Sequence, residues 1–353
     1  MAYPFTDDHD MIRDAARGFL QTWYDGGKGS ERVYQSGTAF DGAAWQSFAK
    51  QLGMAGIAIS EEHEGAGLGD LGRVVVMEEL GASLCAIPFL TTCGIVTDII
   101  QTAGEATAKN RYLKKIAAGE LSAAYCDGHD AAAKVVSHVA HAAEADLIVL
   151  SGRGEGGIDY FAIPKGTAGL KITPEKTMDP TRSFAAVDWN DVAKGDLIPI
   201  GYGSEDQHEK LITQSFIALA AECVGGAQKC LDMTLEYAGQ RVQFGRPIAS
   251  FQAIKHRCAD MFIDIEAARS AVYAAAMASP EEKTEAAIIA KAYATDAFFK
   301  VAGDAIQMHG GIGFTWDYPL HFFFKRARAN RSMFGSSERD YDHLASHIFG
   351  DAS

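Results

Sequence analysis

A block of short strand-like segments between two helical regions is the feature that most constrains the fold of this 353-residue chain. Between residues 121 and 205 the sequence passes through "DLIVLSG", "DYFAIP", "LKITP" and "FAAVDWNDV", which are rich in β-branched and aromatic residues and are punctuated by Gly, Pro and Asp. Their short, even spacing predicts a small antiparallel barrel or sandwich rather than alternating βαβ units.

Apolar residues at helical spacing occupy both flanks of this block. In the first flank Thr6 is a candidate helix cap, and an inward-facing stripe follows it: Ile12, Ala16, Phe19, Leu20 and Trp23. The last flank carries a longer stripe ahead of Ala-rich runs: Ile254, Cys258, Met261, Phe262, Ile265 and Val272. We predict an α+β protein with an N-terminal helical domain (1–120), a small middle β-barrel or sandwich domain (121–205) and a C-terminal four-helix bundle domain (206–353).

Charge and composition exclude several classes of function. The net charge is −14, and the sequence has no evident basic patch of the kind that binds nucleic acid. No run approaches the roughly 18 to 20 apolar residues of a membrane span, and the N-terminus lacks the pattern of a signal peptide. The six cysteines are scattered, without a C-x-x-C pair or a His cluster at zinc spacing. We expect a cytoplasmic protein with free thiols, no metal site, and no nucleic-acid or membrane partner.

Two motifs in the C-terminal flank carry chemistry. One is "RVQFGRPIASFQAIKH" at 241–256, and the other is "DAIQMHGGIGFTWDYPL" at 304–320. In order and spacing, together with "LGMAGIAISEEHEGAGLG" and "EELG" nearer the N-terminus, these motifs resemble the acyl-CoA dehydrogenase family, and the resemblance runs from about residue 5 to residue 348. It implies the acyl-CoA dehydrogenase fold, FAD as cofactor and dehydrogenation of an acyl-CoA.

The residue types in these motifs suit a flavin dinucleotide. A guanidinium at Arg241 matches phosphate oxygens, and glycines at 310 and 311 let the backbone approach a ligand closely. The resemblance implies that six residues reach across to FAD held mainly by a neighbouring subunit: Arg241, Phe244, Gln252, Gln307, Gly310 and Gly311. The resemblance therefore also implies that the protein is an oligomer. The alternatives are a surface ion pair at Arg241 and a simple helix stop at the two glycines.

The segment that would hold the flavin ring departs from the family pattern. The family carries a Thr-Glu-Pro-x-x-Gly-Ser-Asp loop and a later Trp-Ile-[Ser/Thr] stretch in its middle domain. Here the corresponding region reads "SAAYCDGHDAAAKVVSHVAHAAEADLIVLSGRGEGG" and contains neither. The resemblance therefore implies that this chain is poorly equipped to hold a flavin ring by itself.

Phe334 stands where the resembled family places its catalytic base. In most members a glutamate in Tyr-Glu-Gly-[Thr/Ser] removes the α-proton of the acyl thioester, a very weak acid that needs a basic group in contact with it. Here the segment reads "MFGS", and a phenyl ring has no lone pair. A minority of members place the glutamate on the first helix of the C-terminal domain, which falls here at Ser215 or Phe216, again without a carboxylate.

Two nearby carboxylates leave a displaced base as an alternative. Glu222 lies two helical turns beyond Phe216, and Glu338 lies one turn past Phe334. A helix-surface carboxylate or an ion pair is the competing explanation for each. Lys325 replaces an arginine of the family, which is a further departure.

With its FAD motifs retained and its flavin-ring loop and base missing, the chain resembles the non-catalytic subunit of two-subunit (α2β2) bacterial acyl-CoA dehydrogenases of steroid side-chain degradation. It implies a homologous catalytic partner that brings the base, an acyl-CoA substrate, and an electron-transfer flavoprotein as acceptor. On this interpretation the chain has no catalytic residue, and it completes the FAD site of its partner. The alternatives are a self-sufficient homotetrameric dehydrogenase with a displaced base and a flavin-free structural homologue.

Overall fold

The structure, a computed structural model, describes residues 5–24, 28–128 and 134–349. Its helices are α1 (Asp7–Tyr24), α2 (Lys28–Ser36), α3 (Gly42–Trp45), α4 (Gly69–Ser83), α5 (Phe89–Thr91), α6 (Thr97–Ala103), α7 (Ala106–Ala117), α8 (Glu205–Gln214), α9 (Phe216–Gln240), α10 (Gln252–Met277), α11 (Lys283–His309), α12 (Leu320–Asn330) and α13 (Ser337–Phe349). Its strands are β1 (Ala123–Asp127), β2 (Val135–Ala140), β3 (Leu147–Gly154), β4 (Gly157–Pro164), β5 (Lys171–Glu175), β6 (Phe184–Asp188), β7 (Ile198–Gly203), β8 (Val242–Gln243) and β9 (Arg246–Pro247).

The chain forms two compact units, and the boundary between them passes through α4. The helical unit comprises the described residues of Met1–Arg32, Val74–Cys85 and Phe216–Ser353. The sheet unit comprises Val33–Arg73 and the described residues of Ala86–Ser215. The domain boundaries predicted at residues 120 and 205 stay a prediction.

A two-layer β-sandwich lies in the sheet unit. One layer has the strand order β1-β3-β4-β7 and the other β2-β6-β5. Side chains from both layers form one apolar core: Ala124, Cys126, Val139, Ile148, Leu150, Ile163, Ala185, Val187 and Trp189. Alternate residues of β4 and β6 are buried, as expected when one face of each strand meets the core. The predicted small middle β domain is therefore confirmed as a sandwich.

The strand pairing differs from the prediction at β1. It pairs with β3 in parallel, whereas the other pairings of the two layers are antiparallel. The sequence gives weak signals for β1 and β7. The first begins with two alanines, which have low strand preference. The second contains Pro199 and two glycines, which β7 tolerates because it lies at the edge of its layer.

Helices α4 and α9 of the helical unit meet with their backbones in contact. A Cβ added at Gly225 would lie 1.8 Å from the carbonyl oxygen of Glu78, and one at Gly81 would lie 2.0 Å from that of Glu222. No side chain fits at either point. The glycines of the "EELG" and "CVGG" segments therefore allow the two helices to cross in close contact. Salt bridges then attach α1 to α4, with Arg13 2.7 Å from Glu78.

The predicted stripe of α1 is buried at Ala16 and Leu20, while its other three members are only partly buried. Thr6 directly precedes α1, and its backbone N–H donates to Nδ1 of His9 (3.2 Å). The predicted stripe of α10 is wrong at Phe262, whose exposed fraction is 52%. Neighbouring residues of a helix point about 100° apart, and here Met261 points into the core while Phe262 is exposed. The remaining members are buried or partly buried: Ile254, Cys258, Met261, Ile265 and Val272.

No helix in the described part of the chain combines the length and apolar character needed to cross a bilayer. All six cysteines are free thiols, and Cys258 is partly exposed while the other five are buried.

A buried ion pair joins α9 to α12. Arg326 donates to a carboxylate oxygen of Glu222, and both side chains are almost fully buried. Asn330 donates to the other oxygen (3.5 Å) and to Sγ of Cys223 (3.3 Å). A charge buried in this way is tolerated only while its partner is present.

We expect Glu222→Gln to lower the free energy of unfolding by about 3–5 kcal/mol, because it leaves the Arg326 charge buried without its counter-ion. Urea denaturation of the purified chain measures this. Lys300→Ala is the control, since its pair with Asp264 has a 58% exposed lysine and should contribute less than about 1 kcal/mol. Equal losses in the two variants would contradict the buried pair.

Candidate functional site

The loop between α12 and α13 carries Phe334 with its φ at 60°. Its ring stacks on the ring of Phe216, the first residue of α9, with 5.7 Å between centroids and 22° between planes. Residue 334 is the predicted position of the family's base, and Phe216 is, with Ser215, one of the two residues predicted for the minority position. The fold brings the two rings into contact. Both rings are apolar, so neither can accept a proton.

A buried lysine supports this loop. Lys291 Nζ donates to the carbonyl oxygens of Phe334 (3.2 Å) and Gly335 (3.0 Å) and to Oδ2 of Asp340 (2.8 Å). The ammonium also lies 4.5 Å from the centroid of the Phe216 ring. Burial lowers the pKa of Lys291 and raises the pKa of Asp340. The lysine fixes the backbone of the loop, and its hydrogen bonds are all internal.

The carboxylates considered as displaced bases have other surroundings. Glu222 lies in the buried pair with Arg326, and a carboxylate held by a guanidinium is a poor proton acceptor. Glu338 is exposed in the first turn of α13. Ser215 is buried and donates its hydroxyl to the Ile212 carbonyl (2.5 Å). Among residues 5–24, 28–128 and 134–349, no three His, Cys, Asp or Glu side chains are grouped to hold a metal ion.

A short hairpin presents the first predicted FAD segment. Strands β8 and β9 are joined by Phe244 and Gly245, which both have positive φ, as a tight hairpin turn requires. Phe244 is 92% exposed, and its ring meets that of Phe251 edge-on at 6.1 Å. Arg246 lies over the same Phe251 ring, 4.3 Å from its centroid. The hairpin is therefore anchored beside Gln252, the first residue of α10.

The end of α11 presents the second segment. Gly310 caps the helix with φ 64° and ψ −142°, a conformation open to glycine alone. A Cβ added at Gly310 or Gly311 would meet no atom within 4 Å. Gln307 lies one turn earlier and is exposed. The backbone here is open to a ligand on the outside of the unit.

Tyr237 links the hairpin to the glycine loop. It lies on the last turn of α9, four residues before Arg241. Its ring stacks on His309, with 4.3 Å between centroids. Its hydroxyl donates to the carbonyl oxygen of His309 (3.3 Å), the residue directly before Gly310. Tyr237 and His309 are not among the site residues predicted from the sequence. Their only signal is position, because each stands within four residues of a predicted ligand.

Six exposed residues thus come from neighbouring segments of the helical unit, and we call them the clamp surface: Arg241, Phe244, Gln252, Gln307, Gly310 and Gly311. Within the part of the chain that the structure describes, the side chains of Arg241, Gln252 and Gln307 make no hydrogen bond or ion pair. The alternative of a surface ion pair at Arg241 therefore has no partner among the described residues. Exposed donors beside open glycine backbone suit a ligand that carries phosphate.

Lys325 belongs to a cluster at the start of α12. It donates to Nδ1 of His321 (3.4 Å) and lies 5.0 Å from the Trp316 ring centroid. Burial, followed by the charge of Lys325, lowers the pKa of His321 to about 4. The imidazole is therefore neutral at physiological pH, and Nδ1 is its acceptor nitrogen.

Ser151 is the centre of a set of internal hydrogen bonds at the carboxyl end of β1, the region where the resemblance places the flavin-ring loop. Ser151 donates to Oδ1 of Asp127 (2.7 Å) and accepts from the backbone N–H of Gly128 (3.2 Å) and from the hydroxyl of Tyr125 (3.1 Å). Residues 129–133, which belong to the segment without the family's flavin-ring pattern, lie outside the described residues. The polar groups at this strand end bond to one another.

Comparisons with known proteins identify the class. A family model described as "Acyl-CoA dehydrogenase, N-terminal domain" matches residues 6–120, and one described as "Acyl-CoA dehydrogenase, C-terminal domain" matches residues 207–349. The chain is 32% identical over 345 residues to acyl-CoA dehydrogenase IpdE2 of Mycobacterium tuberculosis, which covers 97% of this chain and 98% of that protein. The chain therefore belongs to the acyl-CoA dehydrogenase family, as its motifs predict.

Solved structures share the fold. A chain of the ChsE4–ChsE5 complex from Mycobacterium tuberculosis matches with a TM-score of 0.87 at 22% identity, over 100% of both chains. A chain of the Tcur3481–Tcur3483 steroid ACAD matches with a TM-score of 0.84 at 24% identity, over 98% of this chain and 99% of that one. The predicted acyl-CoA dehydrogenase fold is confirmed.

FAD is the cofactor that family membership implies, and the residues fit it in part. The exposed Arg241 guanidinium and the open backbone at Gly310 and Gly311 suit its diphosphate end. At the end of β1, Asp127 and the backbone N–H of Gly128 bond to Ser151, and the sequence there lacks the motifs with which the family holds the flavin ring. The fit is therefore to one end of the dinucleotide.

We expect Gly310→Ala to lower the free energy of unfolding by about 1–3 kcal/mol, because alanine is strained at this φ and ψ. The matched control is Gly311→Ala, which has the same open surroundings and no positive φ, and which should change stability by less than about 0.5 kcal/mol. Thermal unfolding of both variants measures the difference. Similar losses would argue against a glycine-specific backbone at residue 310.

His321 should make stability fall at acid pH. Its folded pKa of about 4 lies below the usual 6.5, so between these values the unfolded chain binds a proton that the folded chain does not. Stability should drop by about 2 kcal/mol from pH 6.5 to pH 4 through this group. We expect His321→Gln to remove that part of the loss in urea titrations, and the exposed His256→Gln to leave it. A pH profile of His321→Gln that matches the wild-type would refute the assignment.

Proposed function

We propose that this chain is the base-less subunit of an FAD-dependent acyl-CoA dehydrogenase built from two homologous, unlike chains in an α2β2 assembly. The observation that carries the proposal is the stacked pair of Phe216 and Phe334: an apolar ring stands at residue 334, and neither Ser215 nor Phe216, the two residues at the minority position, carries a carboxylate. The partner chain supplies the glutamate, and this chain completes the partner's cofactor site.

The chemistry explains why the base must come from elsewhere. Dehydrogenation between the α- and β-carbons of an acyl-CoA removes a proton from the α-carbon, and that step needs a carboxylate in contact with it. FAD, when bound, accepts the hydride from the β-carbon, and an electron-transfer flavoprotein is the acceptor expected after it. An orphan carboxylate in this chain would be costly beside the apolar ring of Phe216, and Phe334 avoids that cost.

The clamp surface gives the chain its role. Arg241 would hold the diphosphate of FAD by charge-assisted hydrogen bonds, and the backbone at Gly310 and Gly311 can come close to it. Gln252 and Gln307 add amide groups, and Phe244 adds a flat apolar contact. Preorganising this end of the cofactor would fix its ring in the partner.

The relatives support this arrangement. One solved structure with this fold is the ChsE4–ChsE5 complex and another is a steroid ACAD named for two chains, Tcur3481–Tcur3483. Two unlike chains and a steroid-derived acyl-CoA are therefore the partner arrangement and the substrate class that we propose for this chain.

Replacing Arg241, the cation of the clamp surface, tests the proposal. We co-express the chain with a homologue that carries the glutamate, purify the complex and measure its Kd for FAD. Arg241→Ala should weaken FAD binding about 10- to 100-fold, since a hydrogen bond to a charged group contributes roughly 1.5–3 kcal/mol. The control is Arg328→Ala, which removes an exposed arginine of α12 in the same unit and should leave the Kd unchanged.

The same preparations separate the alternatives. Unchanged FAD binding in Arg241→Ala would refute the clamp. If the chain expressed alone is yellow and is bleached by acyl-CoA, it is a self-sufficient homotetrameric dehydrogenase with a displaced base. If neither the chain nor the complex holds flavin, the chain is a flavin-free structural homologue.

A further inference from the structure

The two segments of the clamp surface are far apart in sequence and meet through one aromatic cluster. Tyr237 stands on the last turn of α9, and the backbone N–H of Arg241 donates to its carbonyl (2.8 Å). The hairpin therefore begins one helical turn beyond the Tyr237 ring. On the other side of the cluster, His309 ends α11 and Gly310 follows directly. Whatever fixes Tyr237 against His309 also fixes the hairpin relative to the glycine loop.

The contact between these rings is well defined. Tyr237 and His309 stack with 4.3 Å between centroids and 22° between planes. Tyr318 closes the cluster, tilted against His309 at 4.7 Å and edge-on to Tyr237 at 6.4 Å. Three rings in mutual contact allow little sliding, because interiors packed this closely have discrete arrangements.

Hydrogen bonds set the orientation of the stacked pair. Nδ1 of His309 lies 2.7 Å from the carbonyl oxygen of Ala305. That oxygen can only accept, so Nδ1 carries the proton. Burial lowers the pKa of His309. The carbonyl of His309 is among the last four of α11, which have no partner within the helix, and the Tyr237 hydroxyl donates to it.

We propose that Tyr237 is a positioning residue for FAD: its ring, stacked on His309, holds Arg241 and the Gly310–Gly311 backbone at the separation that the diphosphate requires. Tyr237 itself is half-buried under the clamp surface and acts through those residues. The inference rests on the proposed function, since it concerns the same cofactor end. It assigns a role to a residue outside the recognised motifs.

The test measures the FAD Kd of the co-purified complex for variants of Tyr237. Tyr237→Leu removes the stack and should raise the Kd at least 10-fold. Tyr237→Phe keeps the ring and loses only the hydroxyl, so it should restore binding to within about 3-fold of wild-type, in line with a neutral hydrogen bond. Such a recovery assigns the effect to the ring rather than to the hydroxyl.

A double-mutant cycle supplies a second readout. If Tyr237 acts by placing Arg241, then Tyr237→Leu should raise the Kd less in an Arg241→Ala background than in the wild-type, because the group it places is gone. The control is Tyr341→Leu, which removes a 45% exposed tyrosine of α13 that bonds to Asp296. It should leave the Kd unchanged.

The outcomes separate the inference from the proposed function. If Arg241→Ala weakens FAD binding and Tyr237→Leu does not, the positioning role is overturned and the clamp stands. Fully additive effects in the cycle, or an equal loss in Tyr341→Leu, also overturn it. If neither Arg241→Ala nor Tyr237→Leu changes the Kd, the proposed function fails together with the inference.

Discussion

The ion pair between Glu222 and Arg326 is the interaction on which the helical unit depends. It joins α9 to α12 with both side chains almost fully buried, and buried charges tolerate no loss of their partner. Three residues further along α9, Gly225 brings the backbone of α9 into contact with that of α4. Because α9 is fixed at this point, both of its ends are fixed, and each end carries a part of the candidate site.

The two ends of α9 have opposite character. At its start Phe216 stacks on Phe334. Lys291 fixes the loop around this pair by donating a hydrogen bond to the carbonyl oxygen of Phe334. The buried charge of Lys291 in that region is paired with Asp340, and the rings themselves need no partner. At its far end, the hairpin and the glycine loop expose donors without a partner among the described residues. A chain with a closed, apolar site at one end and an unsatisfied surface at the other suits the proposed role of completing another subunit's site.

The sheet unit supports the same proposed role, through residues at the end of β1. Around the end of β1, Ser151 satisfies Asp127, Gly128 and Tyr125 within the chain. Groups already bonded to one another gain little from a ligand, because the ligand would have to replace bonds of equal strength. The proposed division of labour, with the ring end of FAD held by the partner, follows from this contrast with the open clamp surface.

The sequence by itself determined the family, the fold class, most of the sandwich strands and the absence of a glutamate at residue 334. These are local properties, since motifs, periodicity and residue identity can be read without knowing what lies opposite. Only the tertiary structure decided that Phe216 and Phe334 touch, that Glu222 is paired with a residue 104 positions away, that Phe262 faces outward, and that β1 pairs in parallel. Those outcomes depend on which elements pack together, and helical or strand periodicity gives each element an apolar face without naming the partner that covers it.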